Sequence, residues 1–160
     1  MINLKIISVG NLKEKYLKDA VLEYSKRILA YCKFEITEIP EYKLPKNPSA
    51  AMILKAMEME GDRISEKINK TDYTIALCIE GKQFSSIDFA DLIKSASLKR
   101  SGSINFIIGS SFGLSESIKQ MANLKLSLSQ MTFAHQVVRV LLCEQIYRAF
   151  NILSGGKYHK

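Results

Sequence analysis

The sequence predicts an α/β domain with a mainly parallel sheet of five or six strands and helices on both faces. Short apolar or alternating segments, typical of strands, alternate five times with longer segments whose apolar residues recur at helical spacing. One strand segment, 73–79, is almost continuously apolar, as expected where helices cover both faces of a sheet. Chains that alternate in this way usually build parallel sheets. With 160 residues and no internal repeat, the chain is predicted to be a single domain spanning 1–160.

The first half of the chain is predicted to contain two strands and two helices. Apolar residues alternate or cluster in each strand segment, and Gly10 closes the first. Ser49 is placed to cap the second helix. All three prolines precede that helix within 40–48, which predicts a loop and a candidate mobile segment. In order, the elements are a strand at 4–9, a helix at 12–31, a strand at 34–39 and a helix from Ser49 to about 69.

The second half repeats the pattern with three strands and three helices. Ser85 and Asp88 resemble a capping box at the start of a helix. The glycine-containing run 109–113 predicts a tight connection after a short apolar strand. In order, the elements are a strand at 73–79, a helix at 85–99, a strand at 105–108, a helix at 115–122, a strand at 124–128 and a helix at 133–153.

Composition excludes several classes of protein. The longest uninterrupted apolar runs are five residues, far below the roughly 18 that a membrane span needs, and the N-terminus lacks the pattern of a secretory signal. Three widely spaced cysteines and two histidines offer no zinc-binding spacing, so we expect reduced thiols, no metal and a cytoplasmic location. The net charge of +7 favours a polyanionic partner. Residues 101–160 carry six basic and two acidic side chains and both histidines.

Three predicted strand ends suggest a binding site. Ligands of open α/β sheets bind beyond the carboxyl ends of the strands, here at 77–82, 107–113 and 128–133. Glycines in these turns allow close approach to the backbone, and Leu, Met and Phe side chains can enclose a planar heterocycle. The chain lacks both the G-x-G-x-x-G and the G-x-x-x-x-G-K-[ST] signatures, which argues against a dinucleotide oxidoreductase or a P-loop enzyme.

The order of motifs in the C-terminal third resembles a known family. The motifs run IGSSFGL at 108–114, LSQMTFAHQ at 128–136, Arg139-Val140, EQIYRAF at 144–150 and a terminal YHK at 158–160. Together with VGNLK at 9–13, they resemble the RlmH family, the 23S rRNA pseudouridine N3-methyltransferases of the SPOUT (α/β-knot) superfamily. The resemblance covers essentially the whole chain. This sequence departs from the family pattern at Ser110, usually glycine, and at Ala134, usually proline.

The resemblance implies a fold, a cofactor and partners. It implies a C-terminal trefoil knot, a homodimer, and methyl transfer to a pseudouridine of 23S rRNA within the ribosome. It also implies that S-adenosylmethionine binds in the knot and that the C-terminal Tyr158-His159 segment lies near the partner's cofactor. The implied cofactor-binding residues are Leu77, Gly109, Leu128, Ser129, Gln130, Met131, Thr132 and Phe133.

Pseudouridine N3 carries a proton that must leave during methylation, so a base or an anion-stabilising group is needed. His159 is the first candidate base, because free histidine titrates near pH 6.5. Arg139, which stays protonated, is a candidate for pairing with phosphate or for stabilising negative charge on a ring carbonyl. His135 is a candidate for either role or for only shaping the loop, and Tyr158 is the fourth candidate catalytic residue. A different RNA target, or a non-catalytic RNA-binding protein of the same fold, remains an alternative.

Overall fold

The computed structural model describes residues 1–99 and 101–160, in which five strands alternate with five helices as predicted. The strands are β1 (Asn3–Val9), β2 (Lys33–Ile39), β3 (Tyr73–Lys82), β4 (Ile104–Ile108) and β5 (Leu124–Leu126). The helices are α1 (Lys15–Ile28), α2 (Ala50–Ser65), α3 (Ser86–Lys99), α4 (Glu116–Met121) and α5 (His135–Leu153).

The five strands form one parallel sheet in the order β2-β1-β4-β3-β5. The α/β fold class and the parallel sheet are therefore confirmed, with five strands. Because all strands point the same way, their carboxyl ends lie along one edge of the sheet, where the sequence predicts a binding site. The trefoil knot remains a prediction.

Helices cover both faces of the sheet, and neighbouring residues of β1 show this directly. Ile6 and Ile7 point to opposite faces, yet each is 0% exposed. Ile6 belongs to a core with residues of α1, α3 and α5, and Ile7 to a second core with residues of α2 and α4. Within the described residues, no helix is both long and apolar enough to traverse a bilayer.

The predicted caps at Ser49 and Ser85 are confirmed, whereas the first helix begins at Lys15 rather than at residue 12 and the last at His135 rather than at about 133. The Ser49 side chain accepts a hydrogen bond from the Met52 amide at 3.2 Å. Ser85 accepts one from the Asp88 amide at 3.0 Å and donates to the Asp88 carboxylate at 2.8 Å. The first two helices are shorter than predicted. Each ends in a tightened turn with i→i+3 hydrogen bonds, which periodicity alone does not distinguish from a further helical turn.

The fifth strand is also shorter than predicted, because it ends at Leu126 rather than at residue 128. The Ser127 amide still donates to the Lys82 carbonyl at 2.9 Å. The Ser127 hydroxyl then bonds the Ser129 carbonyl at 2.9 Å and turns the chain out of the sheet. Leu128 thus continues the alternating pattern without being part of the strand, and it lines a cavity instead.

Candidate active site

A cavity of about 560 Å³ lies at the carboxyl ends of β3, β4 and β5. Its walls come from residues 77–80, 108–114, 126–129 and 131–135, with Lys119 and Val138. The three strand ends that the sequence singled out therefore meet at one site. The volume falls within the range of roughly 300–1,000 Å³ typical of small-molecule sites.

The turn after β4 depends on its glycines. A Cβ on Gly109 would lie 2.5 Å from the carbonyl carbon and oxygen of Gly113, so a side chain there would push the turn apart. Gly113 itself has a φ of +88°. Among the described residues no non-glycine has a positive φ, so Ser110 occupies its place without backbone strain.

The segment after β5 forms the opposite wall of the cavity. The Met131 amide donates to the Ser129 hydroxyl at 3.0 Å, which closes a second small turn after the one at Ser127. Met131 is 73% exposed and Phe133 is 39% exposed although both line the cavity. Seven of the eight predicted cofactor-binding residues line this cavity, and Gln130, which lies between two of them, does not.

An ion pair lines one side of the cavity. The Lys119 ammonium lies 2.6 Å from a Glu80 carboxylate oxygen and 3.7 Å from Glu116. The hydrogen bond from Lys119 lowers the pKa of Glu80, and the same bond raises the pKa of Lys119. Sequence reasoning missed both residues as candidates. Glu80 directly follows the apolar strand segment, which is a usable signal, whereas Lys119 is brought in from α4 only by folding.

His135 is the first residue of α5 and lines the cavity. Burial lowers the pKa of its imidazole, the charges of Arg139 and Lys13 lower it further, and Glu41 raises it. A lowered pKa keeps the imidazole neutral at pH 7, and a neutral imidazole has a nitrogen free to accept a proton.

Arg139 does not line the cavity, although it was a candidate catalytic residue. It is 2% exposed. Its guanidinium donates to the Glu38 carboxylate at 2.6 Å and to the Gly10 carbonyl at 3.0 Å. These bonds tie α5 to the ends of β1 and β2.

The C-terminal tail packs on the far part of α5. The Tyr158 hydroxyl donates to the Glu144 carboxylate at 3.1 Å, and His159 Nδ1 lies 3.3 Å from Arg148 Nη1. Burial, with hydrogen bonds to Tyr24 and Glu144, raises the pKa of Tyr158 to about 12, so its hydroxyl stays protonated. Arg148 follows His135 by 13 residues on the same helix, or about 20 Å along its axis. Within one chain, the His159 side chain therefore lies well along α5 from His135 and from the first cavity.

A second cavity, of about 340 Å³, lies between the first cavity and the tail. The two share Leu126, Ser127, Leu128 and Phe133, and Glu144 lines the second one. The Glu144–Arg148 pair, which spacing suggests is a surface support, is half-buried and also binds the tail. Among residues 1–99 and 101–160, no three His, Cys, Asp or Glu side chains are grouped as metal ligands.

Comparison with known proteins agrees with the resemblance seen in the sequence. Proteins named "Ribosomal RNA large subunit methyltransferase H" are 48% identical over 158 residues in Leuconostoc mesenteroides and 46% identical over 157 residues in Streptococcus mutans. Each alignment covers at least 98% of both chains.

Solved structures show the same fold at low sequence identity. A probable methylase family protein from Haemophilus influenzae has a TM-score of 0.59 at 11% identity, covering 99% of this chain and 71% of its own. A probable methyltransferase from Bordetella pertussis has a TM-score of 0.58 at 12% identity, covering 93% and 95%. A family model described as "Predicted SPOUT methyltransferase" matches residues 2–159. The chain therefore belongs to the SPOUT methyltransferase family.

Proposed function

We propose that this protein uses S-adenosylmethionine to methylate N3 of a pseudouridine in 23S rRNA, on the assembled ribosome in the cytoplasm. The observation that carries the proposal is the convergence of 77–80, 108–114, 126–129 and 131–135 on one cavity in a chain of this family. The name of its relatives, ribosomal RNA large subunit methyltransferase H, supports the choice of RNA as substrate.

The cavity suits the proposed cofactor in size and chemistry. Leu77, Leu128 and Phe133 provide apolar walls, and the Gly109–Gly113 turn brings main-chain groups close to the interior. S-adenosylmethionine supplies an electrophilic methyl group on a positively charged sulfur. Apolar walls exclude water from the reacting atoms, and the only carboxylate in the wall, Glu80, is paired with Lys119. The cofactor charge therefore meets no unpaired anion among the lining residues.

A proton acceptor is available inside the cavity. His135 lines it and is neutral at pH 7, so it can take the N3 proton or accept a hydrogen bond from N3. If it does, activity will fall only as the pH drops through a pKa below the usual histidine value of 6.5. Arg139 has a structural role in this proposal, because it holds Gly10 and Glu38 rather than facing the cavity.

A homodimer gives His159 a place in the reaction. Within its own chain the tail lies well along α5 from the cavity, so His159 would act at the cavity of the partner. Apolar side chains around the cavity mouth are left uncovered by this chain, namely Ile79, Phe112, Met131 and Phe133, each at least 39% exposed. Several exposed apolar side chains around one cavity favour a protein interface there.

Exposed basic side chains suit the RNA. Lys157 and Lys160 lie in the tail, Arg148 is partly exposed beside His159, and Lys125 is exposed on β5. Phosphates bound by such groups release counterions, so RNA affinity should fall with increasing salt.

The test is methylation of ribosomes isolated from a strain that lacks the gene, with mass mapping of the 23S rRNA. Wild-type protein with S-adenosylmethionine should add one methyl group to a pseudouridine. His135→Asn should lower the activity and abolish the acid limb of the pH profile. In a mixed dimer with one His159→Asn subunit, the cavity served by that subunit's tail should lose activity and the other cavity should keep it. Binding of S-adenosylmethionine without RNA methylation would favour a different target, and absence of binding would favour a non-catalytic RNA-binding protein.

A further inference from the structure

Two charged side chains in the wall of the first cavity have only a passive part in the proposed function. Glu80 lies near the end of β3 and Lys119 on α4, and both line the cavity. They are the only charged side chains among the described residues of this wall, since His135 is neutral and the others are apolar, hydroxyl, thiol or glycine residues. A ligand with formal charges that enters the cavity therefore meets charged partners at one place.

The Glu80–Lys119 pair still has hydrogen-bonding capacity. The Lys119 ammonium donates to Glu80 Oε1 at 2.6 Å and lies 3.7 Å from a Glu116 oxygen. An ammonium has three N–H donors and a carboxylate has about four acceptor positions, so neither group is saturated by these contacts. The Glu80 side chain is 48% exposed and that of Lys119 is 17% exposed, so a ligand can reach the pair without separating it.

The proposed methyl donor carries charges of both signs at one end. S-adenosylmethionine ends in an α-amino acid, with an ammonium and a carboxylate group besides the positively charged sulfur. Small-molecule sites bury roughly 70–90% of the ligand surface, and burying a charged group is costly unless it is paired. Glu80 is the acceptor that an ammonium group needs, and Lys119 is the donor that a carboxylate needs. The charges of the wall and of the amino acid are therefore complementary.

Lys119 and the proposed proton acceptor, His135, come from helices on opposite faces of the sheet. Lys119 belongs to α4, whose Ile118 packs in the second core with residues of α2. His135 begins α5, whose inner residues pack in the first core with α1 and α3. The transferable methyl group and the amino-acid chain are separate substituents of the sulfur. The methyl group can therefore face His135 while the amino acid extends towards α4.

We propose that the Glu80–Lys119 pair binds the amino-acid end of the methyl donor, with Glu80 accepting from its ammonium group and Lys119 donating to its carboxylate. The pair touches no transferred atom and acts by fixing how the donor lies in the cavity. The inference rests on the proposed function for the identity of the cofactor, and it adds which side chains of this protein recognise one end of that cofactor.

Calorimetric titration of the full chain with two cofactor analogues tests the inference. S-adenosylhomocysteine and 5′-methylthioadenosine share the adenosyl group and an uncharged sulfur, but only the first has the amino acid, so the wild type should bind the first more tightly. Glu80→Gln and Lys119→Met should each weaken S-adenosylhomocysteine about tenfold, near the lower limit for a hydrogen bond to a charged group, and leave 5′-methylthioadenosine unchanged. Glu116→Gln is the matched control, because Glu116 belongs to the same ion cluster without lining the cavity, and it should bind both analogues as the wild type does.

Decarboxylated S-adenosylmethionine, which keeps the ammonium group, distinguishes the two residues. Glu80→Gln should weaken its binding and Lys119→Met should not; the reverse would overturn the assignment of the two groups.

Equal weakening of both analogues in the variants would indicate a purely structural pair and overturn the inference, as would unchanged binding of S-adenosylhomocysteine. If Lys119→Met does not fold, Glu80→Gln decides alone. Wild-type protein that binds S-adenosylhomocysteine no more tightly than 5′-methylthioadenosine would overturn this inference while leaving the cofactor assignment in place. Wild-type protein that binds neither S-adenosylmethionine nor its analogues would instead overturn the cofactor assignment, and this inference with it.

Discussion

Replacing Arg139 with alanine separates a structural from a chemical role for this side chain. Arg139 is 2% exposed, and its guanidinium donates to the Gly10 carbonyl and to the Glu38 carboxylate. The variant would leave the carbonyl without its donor and the carboxylate without its partner, and it would open a space beneath α5. We therefore expect a loss of stability before any loss of chemistry.

The size of this loss follows from the surroundings of each bond. A hydrogen bond that involves a charged group contributes about 1.5–3 kcal/mol. We assign this full contribution to the bond with the Gly10 carbonyl. The bond with Glu38 contributes less, because the Glu38 side chain is 47% exposed and water can solvate its carboxylate in the variant. We expect the free energy of unfolding to fall by about 3 kcal/mol, which lowers the Tm of a chain of this length by about 9 °C.

Thermal unfolding followed by circular dichroism measures this shift. Arg27→Ala is the matched control, because its guanidinium is partly exposed and its contacts lie at the surface: an ion pair with Glu23 one turn earlier and ring contacts with Tyr24 and Tyr147 at 5.7 and 5.5 Å. Its Tm should fall by clearly less than that of Arg139→Ala. Methyl transfer measured well below the Tm should retain most of its rate in Arg139→Ala. An unchanged Tm combined with loss of methyl transfer would refute the structural role and indicate that Arg139 acts in the reaction itself.

Three further predictions concern other parts of the molecule. Ala134 has a φ of −57°, which proline adopts, so Ala134→Pro should stabilise the protein by about 0.4–1 kcal/mol in chemical denaturation; a lower midpoint would contradict this. Asp72 is buried and accepts bonds from the amides of Asn69 and Ser103 and from the Asn105 side chain, so Asp72→Ala should cost about 3 kcal/mol or more, measured in the same way; a loss below 1 kcal/mol would argue against it. Cys78 lines the cavity while the other two thiols are buried, so iodoacetamide should label it first, and S-adenosylmethionine should slow that labelling in peptide mass analysis. Labelling that is indifferent to the cofactor would place the cofactor elsewhere.

Most of the fold was predictable because local patterns and global packing agree. The apolar alternation at 34–39 and the helical spacing in the C-terminal segment reflect which face of each element is apolar. The tertiary structure buries those same faces. The errors in the predicted element boundaries fall where one sequence pattern is compatible with two different backbone paths. Leu128 continues the alternation of β5, but hydrogen bonds of Ser127 turn the chain away, and no periodicity in the sequence encodes that turn.

The site was predictable only in part. Residues of the strand ends could be named, since carboxyl ends of parallel strands share an edge. Lys119 could not, because it reaches the cavity from a helix distant in sequence from its partner Glu80. Arg139 and His135 are neighbours on one helix turn, yet folding buries the first in an ion pair and leaves the second in the cavity.

By itself the amino-acid sequence determined the α/β class, the order of the elements, the family and the three segments that line the cavity, because these depend on residue spacing and on motifs along the chain. Tertiary structure alone decided which polar groups became partners, such as Glu60 with the Tyr42 amide and Arg139 with the Gly10 carbonyl. The physical reason is that burial removes water as a competing partner, and only the packed fold settles which distant groups must then satisfy each other.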